Sequence, residues 1–449
     1  MRKKVLSAID CGISNQQVSQ DAITVIEKLH QHGFDGYIVG GGVRDLLLHK
    51  KPKDFDIVTD ATPEMVKKIF KRNSIIIGRR FKIVHVVFEH LNFDRIINNR
   101  PVTEKHIIEI STYRSLKIHE HTLNAYGKIM VDNNYGNQKD DSTRRDFTIN
   151  ALYYDPIKEV IIDYHNGIQD LSNKELCIIG DPQTRYIEDP VRLLRAIRLS
   201  VKLGLSIAKS TYTYIEETKQ LLLHEHRGRM YEEMLKILLS GSSRACLDAI
   251  KNLGIPKGVF ILFDKLFFYD KPDEIALKIL EKTDERLSAN TTVSTMFILA
   301  GLMWNMVNTK WQKILLEGES PRQALLNAIF AIRHFAGEIC ITRNAFSAMT
   351  EVWTLQFDFE NPTIKKLDRT LTNTRFRQGL HLYNLRNEMG EVDSKLNAWW
   401  NSLVEATESD DKLTIIEQLK GICTAPAKKR RSRKNKKTIP KHKRLDAGR

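Results

Sequence analysis

Gly40-Gly41-Gly42-Val43-Arg44-Asp45 and, shortly after it, Lys53-Asp54-Phe55-Asp56-Ile57-Val58 decide how the first third of this chain folds. The glycines follow the short apolar run Tyr37-Ile38-Val39 and precede Leu46-Leu47-Leu48, a strand passing straight into a helix. Glycine lets backbone approach a phosphate, the N–H groups there and at the helix start form an anion cradle, and Arg44 adds a clamp for phosphate oxygens. A plain strand-to-helix turn would read the same way. In the second segment, strand alternation sets Asp54 and Asp56 on one side and turns Phe55 into the core. Two converging carboxylates are the hard oxygen ligands that Mg2+ requires. Composition alone yields roughly seven acid-x-acid pairs in such a chain, so the position just after the glycine turn carries the reading, and a solvated strand face remains the alternative.

Further along, Arg144-Arg145-Asp146-Phe147-Thr148-Ile149-Asn150 places Asp146 and Asn150 four apart, on one face if the segment is helical. A carboxylate and an amide so paired can grip ribose hydroxyls while Arg145 attracts phosphate; Asp146 as a helix cap is the competing reading. Glu188-Asp189-Pro190-Val191-Arg192-Leu193-Leu194-Arg195-Ala196-Ile197-Arg198 predicts a helix with Asp189 at the N-cap and Pro190 at its first position. Arg192, Arg195 and Arg198 then share a side. They either read a base's hydrogen-bonding edge or form a solvated arginine stripe.

Around these motifs the chain of 449 residues is 42% hydrophobic and 28% charged, long enough for roughly three domains with their own cores. β-branched runs (Tyr37–Val39, Ile57-Val58, Ile75–Ile77, Ile83–Phe88, Ile107–Ile110) interleave with short helical patterns up to about residue 155, an α/β head. Within it Thr62-Pro63-Glu64 starts a helix whose buried face is Met65, Val66, Ile69 and Phe70. Beyond Asp189 the apolar period becomes helical, as in Val191 to Leu203, Thr211 to Leu223 and Tyr231 to Leu239. The expected fold class is an α/β head followed by an all-α neck and body and a disordered basic tail. Trp399-Trp400, Phe376 and Tyr383 fall at helical spacing and are expected to pack the core rather than stack bases. Cys11, Cys177, Cys246, Cys340 and Cys423 show no C-x-x-C spacing, which argues against a zinc or disulfide framework and suits a reducing cytoplasm. The N-terminus reads as ordinary polypeptide, and the longest apolar stretch, Met296 to Val307, is too short to span a bilayer.

The four motifs, in this order over roughly residues 20 to 240, resemble the class II nucleotidyltransferases, which include bacterial poly(A) polymerases and tRNA CCA-adding enzymes. The resemblance implies a polymerase-β-like head in which Gly41, Gly42 and Arg44 hold triphosphate and Asp54 and Asp56 hold metal. Arg145 and Asp146 would belong to a ribose-and-catalysis motif, with Asp146 catalytic beside the two metal-binding aspartates. Glu188, Asp189, Arg192 and Arg195 would select the base. It also implies Mg2+ as cofactor, ATP as substrate and RNA 3′ ends as partner. Tails marking RNA for decay are expected; the sequence does not reveal any RNA-decay protein that acts alongside. Gly78-Arg79-Arg80-Phe81-Lys82-Ile83-Val84-His85-Val86 is similar to a segment that marks the bacterial poly(A) polymerases. A basic hairpin turn would look alike, so CCA addition stays the alternative, with a non-catalytic RNA-binding adaptor as the alternative of another class. A small-molecule nucleotidyltransferase leaves the helical body unexplained. Glu89 to His106 reads as a surface insertion, and Glu109 as a weak candidate for a third metal ligand. The domains expected are a nucleotidyltransferase head at 1–155, a helical neck with base-recognition and RNA-binding elements at 156–250, an RNA-binding helical body at 251–424 and the tail at 425–449.

From Lys428 to Arg444 there are eleven Lys or Arg residues and no Asp or Glu, most of the formal net charge of +15. Flexible cations attract phosphate without reading sequence, so broad RNA choice follows. Deleting everything after Ala427 is expected to weaken RNA binding and flatten its salt dependence by about 0.7 in log–log slope for each phosphate that the tail neutralises. Binding isotherms over a salt series check this, and an unchanged slope refutes it.

Overall fold

The β-branched runs become strands, as their stiff side chains favour. In the computed structural model, which describes residues 3–78, 81–97, 100–116, 134–268, 272–406 and 409–422, eight strands form one mixed sheet among the described residues. They are β1 (Lys4–Ser7), β2 (Tyr37–Val39), β3 (Asp56–Thr59), β4 (Ser74–Ile77), β5 (Ile83–Ile97), β6 (Arg100–Thr112), β7 (Leu152–Asp155) and β8 (Val160–Asp163). Their order is β1-β8-β7-β2-β3-β6-β5-β4. Neighbours are antiparallel except β3 and β6, which run parallel with Ile57 opposite Ile110. β8 carries the sheet past residue 155, to Asp163.

Both faces are covered. Ile38, Ile57, Val84, Val86, Ile108 and Ile110 pack against Val25, Ile26 and Leu29 of α1 (Gln20–Gln31). α2 (Gly41–Leu47) contributes Val43 and Leu46 to that core, and α3 (Pro63–Phe70) contributes Val66 and Phe70. Thr62 Oγ1 accepts the Met65 N–H at 3.4 Å and Pro63 occupies the first turn, as expected for this start. Met65 is 43% exposed rather than buried, since it sits about 100° round the helix from Val66. The opposite sheet face carries Tyr37, Val39, Val58, Tyr113, Tyr153, Ile162 and Tyr164. There Tyr153 meets Tyr37 and Tyr164 edge-on, each at 6.4 Å between centroids.

The segment from Glu89 to His106, expected as a surface insertion, continues the β5–β6 hairpin. Pairing runs from Ile83 opposite Ser111 to Asn92 opposite Val102, then resumes after a register shift before Ile96. Its polar residues mask the strand period that the sequence would otherwise display. Of the Gly78 to Val86 segment, Arg79 and Arg80 lie outside the described residues, as does the basic tail from Ala425 onward.

α4 (Gln138–Arg144) precedes β7, and the chain after β8 is helical: α5 (Gly167–Ser172), α6 (Pro182–Glu188), α7 (Val191–Leu203), α8 (Lys209–Thr218) and α9 (Arg227–Leu238), then further helices to Ile422. The exception is a two-strand parallel pair, Glu175–Leu176 with Ser206–Ile207. No helix among the described residues is long and apolar enough to cross a membrane.

Two compact units result, one of residues 1–310 and 328–347, the other of 311–327 and 348–449. The second has its own core, in which Phe376, Tyr383, Trp399 and Trp400 pack with Leu355, Phe359 and Leu380. Trp400 Nε1 donates to the Phe359 carbonyl at 3.0 Å and Trp399 Nε1 to that of Ile415 at 2.7 Å. These aromatics are core, as their spacing predicted. Trp400→Ala is expected to destabilise the protein by about 3–5 kcal/mol, read from urea denaturation followed by tryptophan fluorescence and circular dichroism.

Candidate active site

Gly40 enters α2 at φ 75° and ψ −132°, backbone geometry that glycine adopts without strain. Gly42 is constrained differently. A Cβ there would stand 3.2 Å from the Asp54 carbonyl oxygen, so its absence lets the helix start lie directly on the segment carrying the aspartates. β3 begins at Asp56, so Asp54 lies just ahead of the strand, and Phe55 between the two acids is buried.

The parallel register adds what spacing could not. Because Ile57 and Ile110 are partners and both face the α1 core, the residues before them, Asp56 and Glu109, stand side by side on the opposite face. Enclosure by protein, then the charges of Glu109 and Asp54, push the Asp56 carboxyl up to about 6, while Arg145 draws it down. Glu109 itself lies 3.7 Å from His85 Nε2. Asp54, Asp56 and Glu109 thus lie near enough for their charges to act on one another, and carboxylate oxygens are hard donors.

A chain of polar contacts runs outward from this point. Arg44, 6% exposed, donates through Nε and Nη2 to Asp45 Oδ1 (2.9 and 2.7 Å) and through Nη1 to Asn150 Oδ1 (2.8 Å). All three of its guanidinium nitrogens are hydrogen-bonded within the protein. Asn150 Nδ2 donates to Asp146 Oδ1 at 3.1 Å, and Arg195 Nη1 lies 3.5 Å from Asp146 Oδ2. Glu233, 1% exposed, lies 4.0 Å from Arg195 Nε and accepts from Arg198 Nε at 2.6 Å. The segment holding Asp146 and Asn150 is not one helix. α4 ends at Arg144, and Thr148–Asn150 is a single 3-10 turn, yet the turn still brings the two side chains together.

Arg145 donates to Asp141 Oδ2 from Nε and Nη2 (3.1 and 2.9 Å) and to the Tyr153 hydroxyl (3.2 Å). Its Nη1 stands 3.7 Å from where a Gly40 Cβ would be, so this cation borders the glycine turn. Gly41 lies over the Arg44 guanidinium, whose Nη2 would be 3.3 Å from a Cβ.

In the Glu188–Arg198 segment the expected cap differs. Asp189 closes α6 and makes no side-chain cap bond to α7, which starts at Val191 after Pro190. Its carboxylate is occupied elsewhere: Arg229 Nη2 donates to Asp189 Oδ1 at 2.6 Å, and Arg229 Nη1 to Glu225 at 3.0 Å. Glu188 Oε2 accepts from Arg185 and Arg192 (2.9 and 3.2 Å). The arginines of α7 are therefore paired and partly enclosed, not a solvated stripe. Sequence reasoning missed Arg185, Glu225, Arg229 and Glu233, which reach the motif from α6, from just before α9 and from α9, and whose spacing carries no signal.

With the geometry in hand, the comparisons are decisive. Residues 36–177 match the poly A polymerase head domain, 204–267 the probable RNA and SrmB-binding site of polymerase A, and 317–437 the polymerase A arginine-rich C-terminus. Poly(A) polymerase I of Haemophilus influenzae is 32% identical over 448 residues, covering 97% of this chain and 95% of that protein. The chain belongs to the poly(A) polymerase family. It is a polynucleotide adenylyltransferase by that membership. The CCA-adding enzyme of Bacillus pumilus is a more distant relative, 34% identical over 232 residues and 52% of each chain. A solved tRNA-processing enzyme in an apo form shares the fold, with TM-score 0.52, 20% identity and coverage of 90% of this chain and 97% of that one.

For this poly(A) polymerase family chain, the raised Asp56 pKa has a consequence for stability. An acid whose folded pKa exceeds its ordinary value of 3.8 binds its proton more tightly folded than unfolded. Its contribution is thus most favourable below about pH 4, falls as pH rises to about 6 and stays low above that. Asp56→Asn is expected to raise the melting temperature in chelator at about pH 8 relative to wild type, with the gain vanishing near about pH 4. Calorimetry across that range checks it, and no gain at the upper end refutes it.

Proposed function

We propose that the chain transfers AMP from ATP to the 3′-hydroxyl of RNA without a template, using Mg2+ held by Asp54 and Asp56 with Glu109 alongside. The observation that carries this reading is the placement of Asp56 and Glu109 on adjacent parallel strands beside Asp54, at the start of the glycine-led helix. The RNA 3′ oxygen bonds to the α-phosphorus, the bond from that phosphorus to the bridging oxygen breaks, its electron pair leaves with pyrophosphate and the hydroxyl proton passes to solvent. Magnesium would supply the positive charge that acidifies the hydroxyl and offsets charge on the departing pyrophosphate.

The chain's own residues position the reactants. Backbone at Gly41 and Gly42, with Arg145 nearby, receives phosphate oxygens, and Arg44 holds Asn150 so that Asp146 and Asn150 face the ribose. Glu188, Asp189, Arg192 and Arg195 read the base in place of a template strand, and the contact between Arg195 and Asp146 ties the base reader to the ribose site. Residues 204–267 are the place for RNA and protein-partner contact. Free Cys11, Cys177, Cys246 and Cys340 suit work in a reducing cytoplasm.

Primer extension on an arbitrary RNA with Mg2+ tests the reading. ATP alone is expected to give long tails, whereas short additions needing CTP before ATP would favour CCA addition, the activity named for the relatives that match half the chain. Asp54→Asn and Asp56→Asn are each expected to cut nucleotide addition by about a hundredfold or more, with RNA affinity near wild type in a filter-binding assay. Near-normal rates in either variant would remove the metal assignment.

A further inference from the structure

We propose that Asp21, His90 and His106 form a binding site for a divalent transition metal, zinc above all, separate from the nucleotide site. Asp21 lies in the first turn of α1, His90 in β5 and His106 in β6, the stretch where the long hairpin passes the helix. His90 Nε2 is 2.8 Å and His106 Nδ1 2.5 Å from the same oxygen, Asp21 Oδ2, and the three ligand atoms lie within 4.8 Å of one another.

Two imidazole nitrogens and one carboxylate oxygen make the donor set of a three-ligand zinc site, with water completing the tetrahedron. Nitrogen donors set it apart from the all-oxygen group at Asp54, Asp56 and Glu109, because imidazole suits zinc and its neighbours while Mg2+ keeps to oxygen. Ligands at 2.0–2.1 Å from a tetrahedral ion stand about 3.3 Å apart, so the present spacings must open by somewhat less than an ångström. The parts permit that. The Asp21 carboxylate is almost enclosed, with 11% of its side chain exposed, and anchors the site, while the His90 side chain is 56% exposed and has room to swing outward. The Phe88 ring stacks parallel to His90, 6.5 Å between centroids, and limits that swing to its own plane. Bound metal would take the place of the two hydrogen bonds now made to Asp21 and pin the hairpin to α1. The alternative is a hydrogen-bonded clasp that never takes metal.

The test uses the untagged full chain, stripped with chelator and then dialysed against Zn2+ in excess Mg2+, which occupies the oxygen-only site. About one zinc per chain is expected, with the Kd raised about tenfold or more in His90→Ala and in His106→Ala and unchanged in Asp54→Asn. Zinc should raise the melting temperature of wild type and leave that of His90→Ala alone, and Co2+ should give visible ligand-field absorption that disappears in the histidine variants. His90 is at the surface, so its variant keeps the fold, which circular dichroism verifies. No zinc uptake by wild type, or equal uptake by the histidine variants, overturns the proposal, even if removal of the histidines lowers the melting temperature.

Discussion

Two carboxylates on adjacent parallel strands repel each other, and the head is arranged to hold them together regardless. The parallel pairing of β3 with β6, the one such pairing in this sheet among the described residues, puts Asp56 beside Glu109, with Asp54 just ahead of the strand. The hydrophobic contacts beneath, Ile57 and Ile110 against α1, keep the strands in register, since a one-residue slip of either strand would turn its acid into the core. Glycine at position 42 then brings the helix start against the Asp54 carbonyl. Apolar burial on one face of the sheet thus supports charge concentration on the other, and enclosure by protein together with that concentration raises the Asp56 carboxyl to about 6.

From there, organisation passes outward by hydrogen bonds and ion pairs rather than by apolar packing. Arg44, Asn150, Asp146, Arg195 and Glu233 form a line of alternating donors and acceptors from α2 to α9. Because each group is partly enclosed, displacing one leaves its neighbour with an unmet charge or hydrogen bond, a cost that keeps the line aligned. Asp189, held by Arg229, is kept in place in the same manner. An element fixed by such contacts presents its donors and acceptors at set positions, as the proposed template-free choice of base would require.

Much of this was legible in advance. The strands at Tyr37–Val39, Asp56–Thr59 and Ser74–Ile77 were plain from β-branched runs, and the core role of Trp399 and Trp400 from helical spacing. The neighbourhood of Gly42 and Asp54 was visible too, because a turn between them is short. Less legible was the hairpin of β5 and β6, whose polar residues look like a loop until their cross-strand partners are known. The cap assigned to Asp189 misled for a related reason: local chemistry offered it a backbone N–H, but a guanidinium from a distant helix binds it more strongly.

Local order and chemical type were therefore set by the sequence alone: where most strands and helices form and which side chains carry charge. Tertiary structure decided who stands beside whom. The adjacency of Asp56 and Glu109, the capture of Asp189 by Arg229, and the meeting of Asp21 with His90 and His106 all join residues distant along the chain. Such pairings depend on sheet register and helix docking, which arise from burial of whole faces, and no spacing rule along a single chain encodes them.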